Sequence, residues 1–131
     1  MTEKVNYWIE LSDYDMETAD AMLTSKRFLY VGFMCHQSIE KIFKAYYVDK
    51  TNLSPPYSHS LSLLAKKSCI YFVLSESQKE LIDQLEPLNI EARYPSYKDK
   101  LLKSLTEDKC RNLFIQSYEL QQWIRQRLLK K

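Results

Sequence analysis

Apolar residues recur every three to four positions over most of the chain, which is the period of an α-helix. The first such stretch predicts a helix from Glu3 to Thr24, because Thr2 precedes it and its side-chain oxygen can cap the first turn. We expect the buried face of this helix to consist of Trp8, Leu11, Ala19 and Met22, with Leu23 beside Met22. Asp15 falls on the same stripe, where a buried carboxylate needs a partner.

A second helix is predicted over about residues 28–49, after a short break that makes the two helices an antiparallel hairpin. Its apolar stripe comprises Val31, Met34, Ser38, Ile42 and Ala45. A second stripe, aromatic and then polar, runs beside it through Tyr30, Phe33, Gln37, Lys41 and Lys44. Gly32 lies inside the helix, where glycine lowers helix stability by about 1 kcal/mol relative to alanine. Close approach of a neighbouring helix backbone would explain a glycine at this position.

The rest of the chain also predicts helices, separated by recognisable breaks. Two prolines mark a loop over residues 51–57, and Ser58 or His59 can cap a short helix over about 60–71. Ser75 and Gln78 form a capping box for a fourth helix, which Pro87 ends or kinks. A last helix covers about 106–129. The pattern indicates a single domain over residues 1–131, an all-α bundle of four main helices and a short extra one.

Composition supports this fold and excludes several classes of protein. One glycine and four prolines are too few for a β-sandwich or barrel. The net charge of +2 does not argue for nucleic acid. Cys35, Cys69 and Cys110 have no metal-ligand spacing, so we expect three buried thiols, with no disulfide scaffold and no metal. With neither a signal peptide nor a membrane span in the sequence, we expect a cytoplasmic protein and no membrane partner.

The polar stripe of the second helix supplies candidate chemistry. Lys41 and Lys44 lie near one another and, with Arg93 from a late loop, could converge on a phosphate. Tyr94 and Tyr97 beside Arg93 could stack on a base. The structural alternative is that Lys41 pairs with Asp15 or Glu40 and Lys44 is solvated, while the Tyr94–Pro95 segment only packs the loop and Arg93 bridges carboxylates. The supporting polar network would consist of Asp15, Gln37 and Glu40.

Two histidines complete the candidate residues. His59 stands at a predicted helix start, where backbone N–H groups favour anions, although a capping or packing role is the alternative. His36 is interpreted as a structural histidine among aromatic neighbours. The nucleotide-binding candidates are therefore Lys41, Lys44, His59, Arg93, Tyr94 and Tyr97.

Three segments in a fixed order, HQSIEKIFKA at 36–45, SHSL at 58–61 and ARYP at 92–95, follow Tyr7, Trp8 and Asp15. Together they resemble the HEPN domain family (higher eukaryotes and prokaryotes nucleotide-binding), of the small stand-alone bacterial or archaeal type. The resemblance spans nearly the whole chain. It implies an antiparallel four-helix bundle, commonly a homodimer, that often acts with a nucleotidyltransferase partner. Several tyrosines could cover the dimer partner: Tyr7, Tyr14, Tyr30, Tyr46 and Tyr47.

Some members of that family are ribonuclease toxins with an arginine followed four to six residues later by histidine. This sequence departs from the motif, because Arg27 precedes His36 by nine positions and no histidine follows Arg93. We therefore expect a non-catalytic nucleotide- or phosphate-binding module, dimeric and toxin–antitoxin-like, without a cofactor. The alternatives are a divergent metal-independent endoribonuclease acting on RNA through Arg93 and a histidine, and a structural protein-interaction adaptor.

Overall fold

The computed structural model describes residues 2–91, 100 and 103–130, and within them the chain is helical with no strand. The helices are α1 (Glu3–Thr24), α2 (Phe28–Thr51), α3 (Leu61–Lys67), α4 (Glu76–Glu91) and α5 (Glu107–Leu129), with a 3₁₀ turn at Ile70–Val73. The all-α prediction of four long helices and a short extra one is confirmed. Arg93, Tyr94 and Tyr97 lie outside the described residues.

Helix α2 is the centre of the bundle and packs against each of the other helices. The short link after Thr24 turns α1 back along it. On another side the Leu88 side chain of α4 meets Gly32. Helix α5 runs parallel to α2, because Cys110 contacts the carbonyl of Phe28 and, seven residues further along both helices, Ser117 lies beside Cys35. The result is an up-and-down bundle with α2 and α5 across its diagonal.

Two serines link α1 to α2 by reciprocal hydrogen bonds. The Ser12 hydroxyl donates to the carbonyl of Ser38 at 2.8 Å, and the Ser38 hydroxyl donates to the carbonyl of Ser12 at 2.8 Å. Gln121 of α5 adds a bond from Nε2 to Ser12 Oγ at 3.2 Å. Small hydroxyl side chains let the two backbones come close while satisfying each other, so three helices are joined by one buried polar cluster.

The buried stripe of α1 differs from the sequence-based interpretation. Ala19 is buried as expected, but Trp8, Leu11 and Met22 are only half-buried. The buried residues of α1 are Val5, Ile9, Ser12, Asp15, Met16 and Ala19. The expected stripe did not include Ser12, whereas its hydrogen bonds to Ser38 and Gln121 bury it between α1, α2 and α5.

Capping explains most helix boundaries. Thr2 and Thr106 accept from backbone N–H groups of the first turns of α1 and α5, and Ser75 and Gln78 form the expected capping box. Helix α3 is shorter than predicted, and its cap is Ser60 rather than Ser58 or His59. These caps satisfy N–H groups that have no partner inside the helix.

Three local expectations differ from the structure. Pro87 was expected to end or kink α4, and it does not end it, since the helix continues to Glu91; its position is exposed, where water can satisfy the carbonyl that loses its partner. Gly32 faces the Leu88 side chain, 2.7 Å from the place of a β-carbon, rather than a neighbouring backbone. Cys35 and Cys110 are buried, but Cys69 is exposed, in a left-handed conformation with φ 68°.

Candidate functional site

Glu40 is the centre of the candidate site. It lies on the inner face of α2 and is 2% exposed. Lys44, one turn later, donates from Nζ to Glu40 Oε2 at 3.1 Å. His59 reaches in from the segment before α3 and donates from Nδ1 to Glu40 Oε1 at 3.0 Å. The carboxylate therefore holds two of the sequence-predicted binding residues within one hydrogen-bonded group.

His36 lies behind Glu40 and is fully buried. Its Nδ1 is 3.8 Å from Glu40 Oε1, and its Nε2 is 3.9 Å from Glu86 Oε1. Both distances are too long for a hydrogen bond, but they place the ring between two carboxylates. The interpretation of His36 as a structural histidine agrees with its burial, since no solvent-borne ligand reaches it in this arrangement.

Glu86 of α4 connects this buried group to the start of α3. Its Oε1 accepts from the backbone N–H of Leu61 at 2.7 Å, and its Oε2 accepts from the Ser60 hydroxyl at 3.2 Å. Burial raises the pKa of the Glu86 carboxyl, but the interactions with His36, Leu61 and Ser60 outweigh it, so the pKa is lowered overall. A carboxylate from α4 thus fixes the segment that carries His59.

Lys41 belongs to a different contact. Its Nζ donates to Asp15 Oδ2 at 2.6 Å, and both side chains are mostly buried between α1 and α2. This is the structural alternative given for Lys41 above, and a phosphate would have to compete with Asp15 for it. Gln37, the remaining member of the expected polar network, has a buried Oε1 without a hydrogen-bond partner among the described residues.

A cavity of about 490 Å³ opens where the first turns of α1, the later part of α2 and the loop after α2 meet. We call it the Trp8 pocket; its lining includes Lys4, Tyr7, Trp8, Lys44, Pro56 and Tyr57. The Lys44 ammonium group lies 5.4 Å from the centre of the Trp8 ring, and Tyr7 meets Trp8 edge to face. One wall is therefore aromatic, with a buried cation beside it.

The charges of the Trp8 pocket have mixed signs. Lys4 and Lys44 bring two ammonium groups, and Glu3 brings one carboxylate. Lys44 is only 8% exposed, so its ammonium group is held in place by Glu40 and Trp8 rather than moving freely in solvent. The lining thus places the Trp8 ring beside two ammonium groups, those of Lys4 and Lys44.

Of the sequence-predicted site residues, the structure brings together Lys44, His59 and Glu40 and directs Lys41 to Asp15. It also adds residues that the sequence did not reveal: Lys4, Trp8 and Tyr57 as pocket lining, and Glu86 as the group that holds the start of α3. Trp8 was interpreted only as core. The side chain of Glu86 contacts residues 25 positions earlier, so no local spacing marked it.

The comparisons with known proteins agree with the fold. The sequence model of the HEPN domain family, described as "HEPN domain", matches residues 5–127. The crystal structure of TT1696 from Thermus thermophilus superposes with a TM-score of 0.81 at 15% identity, over 95% of this chain and 98% of that one. No curated protein matches the chain.

Within residues 2–91, 100 and 103–130, no three histidine, cysteine or acidic side chains are grouped to hold a metal ion. None of the helices in that part of the chain combines the length and the apolar character needed to cross a membrane.

Proposed function

Because the chain belongs to the HEPN domain family, we propose that it is a non-catalytic nucleotide-binding module whose ligand occupies the Trp8 pocket. One observation carries this proposal: a buried lysine, Lys44, holds its ammonium group 5.4 Å from the centre of the Trp8 ring at the wall of a 490 Å³ cavity. The pocket thus offers a stacking surface for a base and, beside it, a cation for a phosphate.

The size and chemistry of the pocket support a nucleotide over a smaller anion. Ligand pockets typically enclose about 300–1,000 Å³, and a base stacked on an aromatic side chain contributes about 1–3 kcal/mol. The phosphate would lie between Lys44 and Lys4. Binding there requires Lys44 to share its ammonium group between Glu40 and the phosphate, and three N–H donors make that sharing feasible.

The proposed module is non-catalytic because neither histidine is suited to acid–base chemistry on a bound ligand. His36 is fully buried, and the Nδ1 of His59 is already bonded to Glu40. General acid–base catalysis needs a group within hydrogen-bond reach of the reacting proton. Of the two histidines, only the exposed edge of His59 is left to the ribonuclease alternative.

The test uses Trp8 itself as the reporter. The chain has two tryptophans, so Trp123→Phe leaves Trp8 as the single indole. We expect AMP and adenosine both to quench its fluorescence, since both stack on the ring. Lys44→Gln should weaken AMP binding about tenfold or more, because a charge-assisted hydrogen bond contributes roughly 1.5–3 kcal/mol, and should leave adenosine binding unchanged.

Lys50→Gln is the matched control. Lys50 is on the same helix and also lies over an aromatic ring, 5.3 Å from the centre of Tyr46, but it does not line the Trp8 pocket. The Lys50→Gln variant should bind AMP like the parent protein. Absence of quenching by both AMP and adenosine would show that the nucleotide assignment is wrong. Equal loss of AMP affinity in both lysine variants would show that Lys44 has no special role.

We further propose that the module is a homodimer and serves a nucleotidyltransferase protein, as the resemblance of its motifs suggests. The exposed tyrosines of α1 support a contact there: Tyr7 and Tyr14 are 57% and 68% exposed and lie two helical turns apart on one face. Tyr46, in contrast, is buried in this chain's own core.

Light scattering after gel filtration tests the dimer. We expect Tyr14→Asp to yield monomers and Tyr118→Asp, an equally polar change at an exposed tyrosine of α5, to remain dimeric. A monomeric parent protein at micromolar concentration would contradict the dimer. A co-expressed nucleotidyltransferase should co-elute with the parent protein, and separate elution would contradict that partnership.

A further inference from the structure

An apolar knob stands beside a group of lysines at the junction of α3 and α4. Phe72 and Val73, on the 3₁₀ turn, are 77% and 50% exposed. The Phe72 ring packs edge to face on Tyr71, with 6.4 Å between ring centres. Adjacent exposed apolar side chains form a contiguous patch, and such a patch rimmed by polar residues can mark an interaction site. This surface is separate from the lining of the Trp8 pocket.

Two ammonium groups flank the same tyrosine. Lys66 Nζ, from the last turn of α3, is 5.0 Å from the centre of the Tyr71 ring, and Lys79 Nζ, from α4, is 4.7 Å from it. Because Phe72 also packs on that ring, the apolar knob and both cations share one small area. Lys67, the next residue along α3, adds another cation, and its side chain is exposed. We call Lys66, Lys67, Tyr71, Phe72, Val73 and Lys79 the cationic knob.

The cationic knob carries a surplus of positive charge. The carboxylate of Glu76 is 3.7 Å from Lys79, but Glu76 is 88% exposed, so solvent screens this pair. Lys66 and Lys67 enter no ion pair with the described residues. The occupant that complements this surface therefore has an anionic face beside an apolar layer.

From this geometry we propose that the cationic knob docks on the surface of an anionic lipid bilayer. Phe72 and Val73 enter the boundary between headgroups and acyl chains, and the three lysines contact the acidic headgroups. A stable protein interface buries about 800 Å² on each partner, which two apolar side chains on a four-residue turn do not approach. A bilayer requires no such matched area, and surface contact requires no spanning helix.

Co-sedimentation with vesicles tests the proposal. The parent protein should bind vesicles of phosphatidylcholine with about 30 mol% phosphatidylserine at low salt and should lose most binding at about 0.5 M salt, where the Debye length falls below about 5 Å. Vesicles of phosphatidylcholine alone should bind little of it. Lys66→Gln and Lys67→Gln should each weaken binding about fivefold, and Phe72→Ser about tenfold.

Two matched controls separate the cationic knob from general surface effects. Ile115→Ser removes an apolar side chain of α5 that is 46% exposed, and Lys130→Gln removes a cation at the end of that helix. Both should bind vesicles like the parent protein. Equal binding to neutral vesicles, no binding to either, or equal losses in control and knob variants would overturn the proposal. The proposal would also be overturned if the parent protein bound no vesicles but self-associated, and Phe72→Ser abolished that self-association.

Discussion

The ion pair between Glu40 and Lys44 should contribute far more to stability than a surface pair of the same spacing. Its atoms are 3.1 Å apart and its side chains are 2% and 10% exposed. At an effective dielectric constant of about 20 the attraction is about 5 kcal/mol, part of which offsets desolvation. Because removing one partner leaves a buried charge, Glu40→Gln and Lys44→Met should each lower the free energy of unfolding by about 3–5 kcal/mol.

The double variant Glu40→Gln/Lys44→Met should lose less than the sum of the two single losses, since no buried charge is left alone. Urea titrations followed by circular dichroism give the four free energies, and we expect a coupling of about 2–3 kcal/mol. Glu107 and Arg111 provide the control cycle, with the same spacing and a 3.0 Å contact but side chains 42% and 51% exposed. That cycle should give about 0.3–0.5 kcal/mol. Equal couplings in the two cycles would refute the reasoning.

Three further predictions follow from the buried and capped groups. Burial raises the pKa of the Cys35 thiol to about 12 and that of Cys110 to about 11, so at pH 8 only the exposed Cys69 should react rapidly with a thiol reagent; three fast-reacting thiols would contradict this. The pKa of Glu86 is lowered in the folded state, so its contribution is present above its unfolded pKa of about 4.3 and is lost as the pH falls through the folded value. Urea midpoints measured from pH 6 to pH 3 should therefore fall less in Glu86→Gln than in the parent protein. Thr106→Ala should lower the unfolding free energy by about 1 kcal/mol through loss of the α5 cap, and Thr106→Ser should lower it little.

The sequence predicted the helices well where the decisive contacts are local. Thr2 and the Ser75–Gln78 pair act within one turn of their own helix, so their residue types and spacing were sufficient. Predictions failed where a distant residue decides. The cap of α3 is completed by Glu86 of α4, and Ser12 is buried because Ser38 lies opposite it. Neither partner is marked by any repeat in the sequence.

In the candidate site, too, the local features could be predicted from the sequence and the long-range contacts could not. Periodicity placed Lys41 and Lys44 on one stripe of α2, but it could not assign their partners. Tertiary packing separates them, since Asp15 of α1 takes Lys41 while Glu40 and Trp8 hold Lys44 at the pocket. Lys41 and Lys44 lie on the same stripe of α2 but have different roles: Lys41 joins α1 to α2, and Lys44 faces the Trp8 pocket. The position of α1 determines both roles.

The hydrogen bonds of Glu40 explain how Lys44 could shift toward a ligand without leaving the Glu40 carboxylate unbonded. A buried carboxylate that loses its only partner is costly. Glu40 has two, because Lys44 bonds Oε2 and His59 bonds Oε1, and His36 lies 3.8 Å from Oε1. When a phosphate draws the Lys44 ammonium group toward the pocket, His59 keeps the carboxylate bonded.

His59 should therefore affect AMP binding without touching the ligand. His59→Ala should weaken AMP binding, because Lys44 would then be the remaining hydrogen-bond donor to Glu40 and would be held there more tightly. His59→Asn, whose amide can still donate to Glu40, should preserve it. Equal AMP affinity in the alanine variant and the parent protein would show that Lys44 needs no such support.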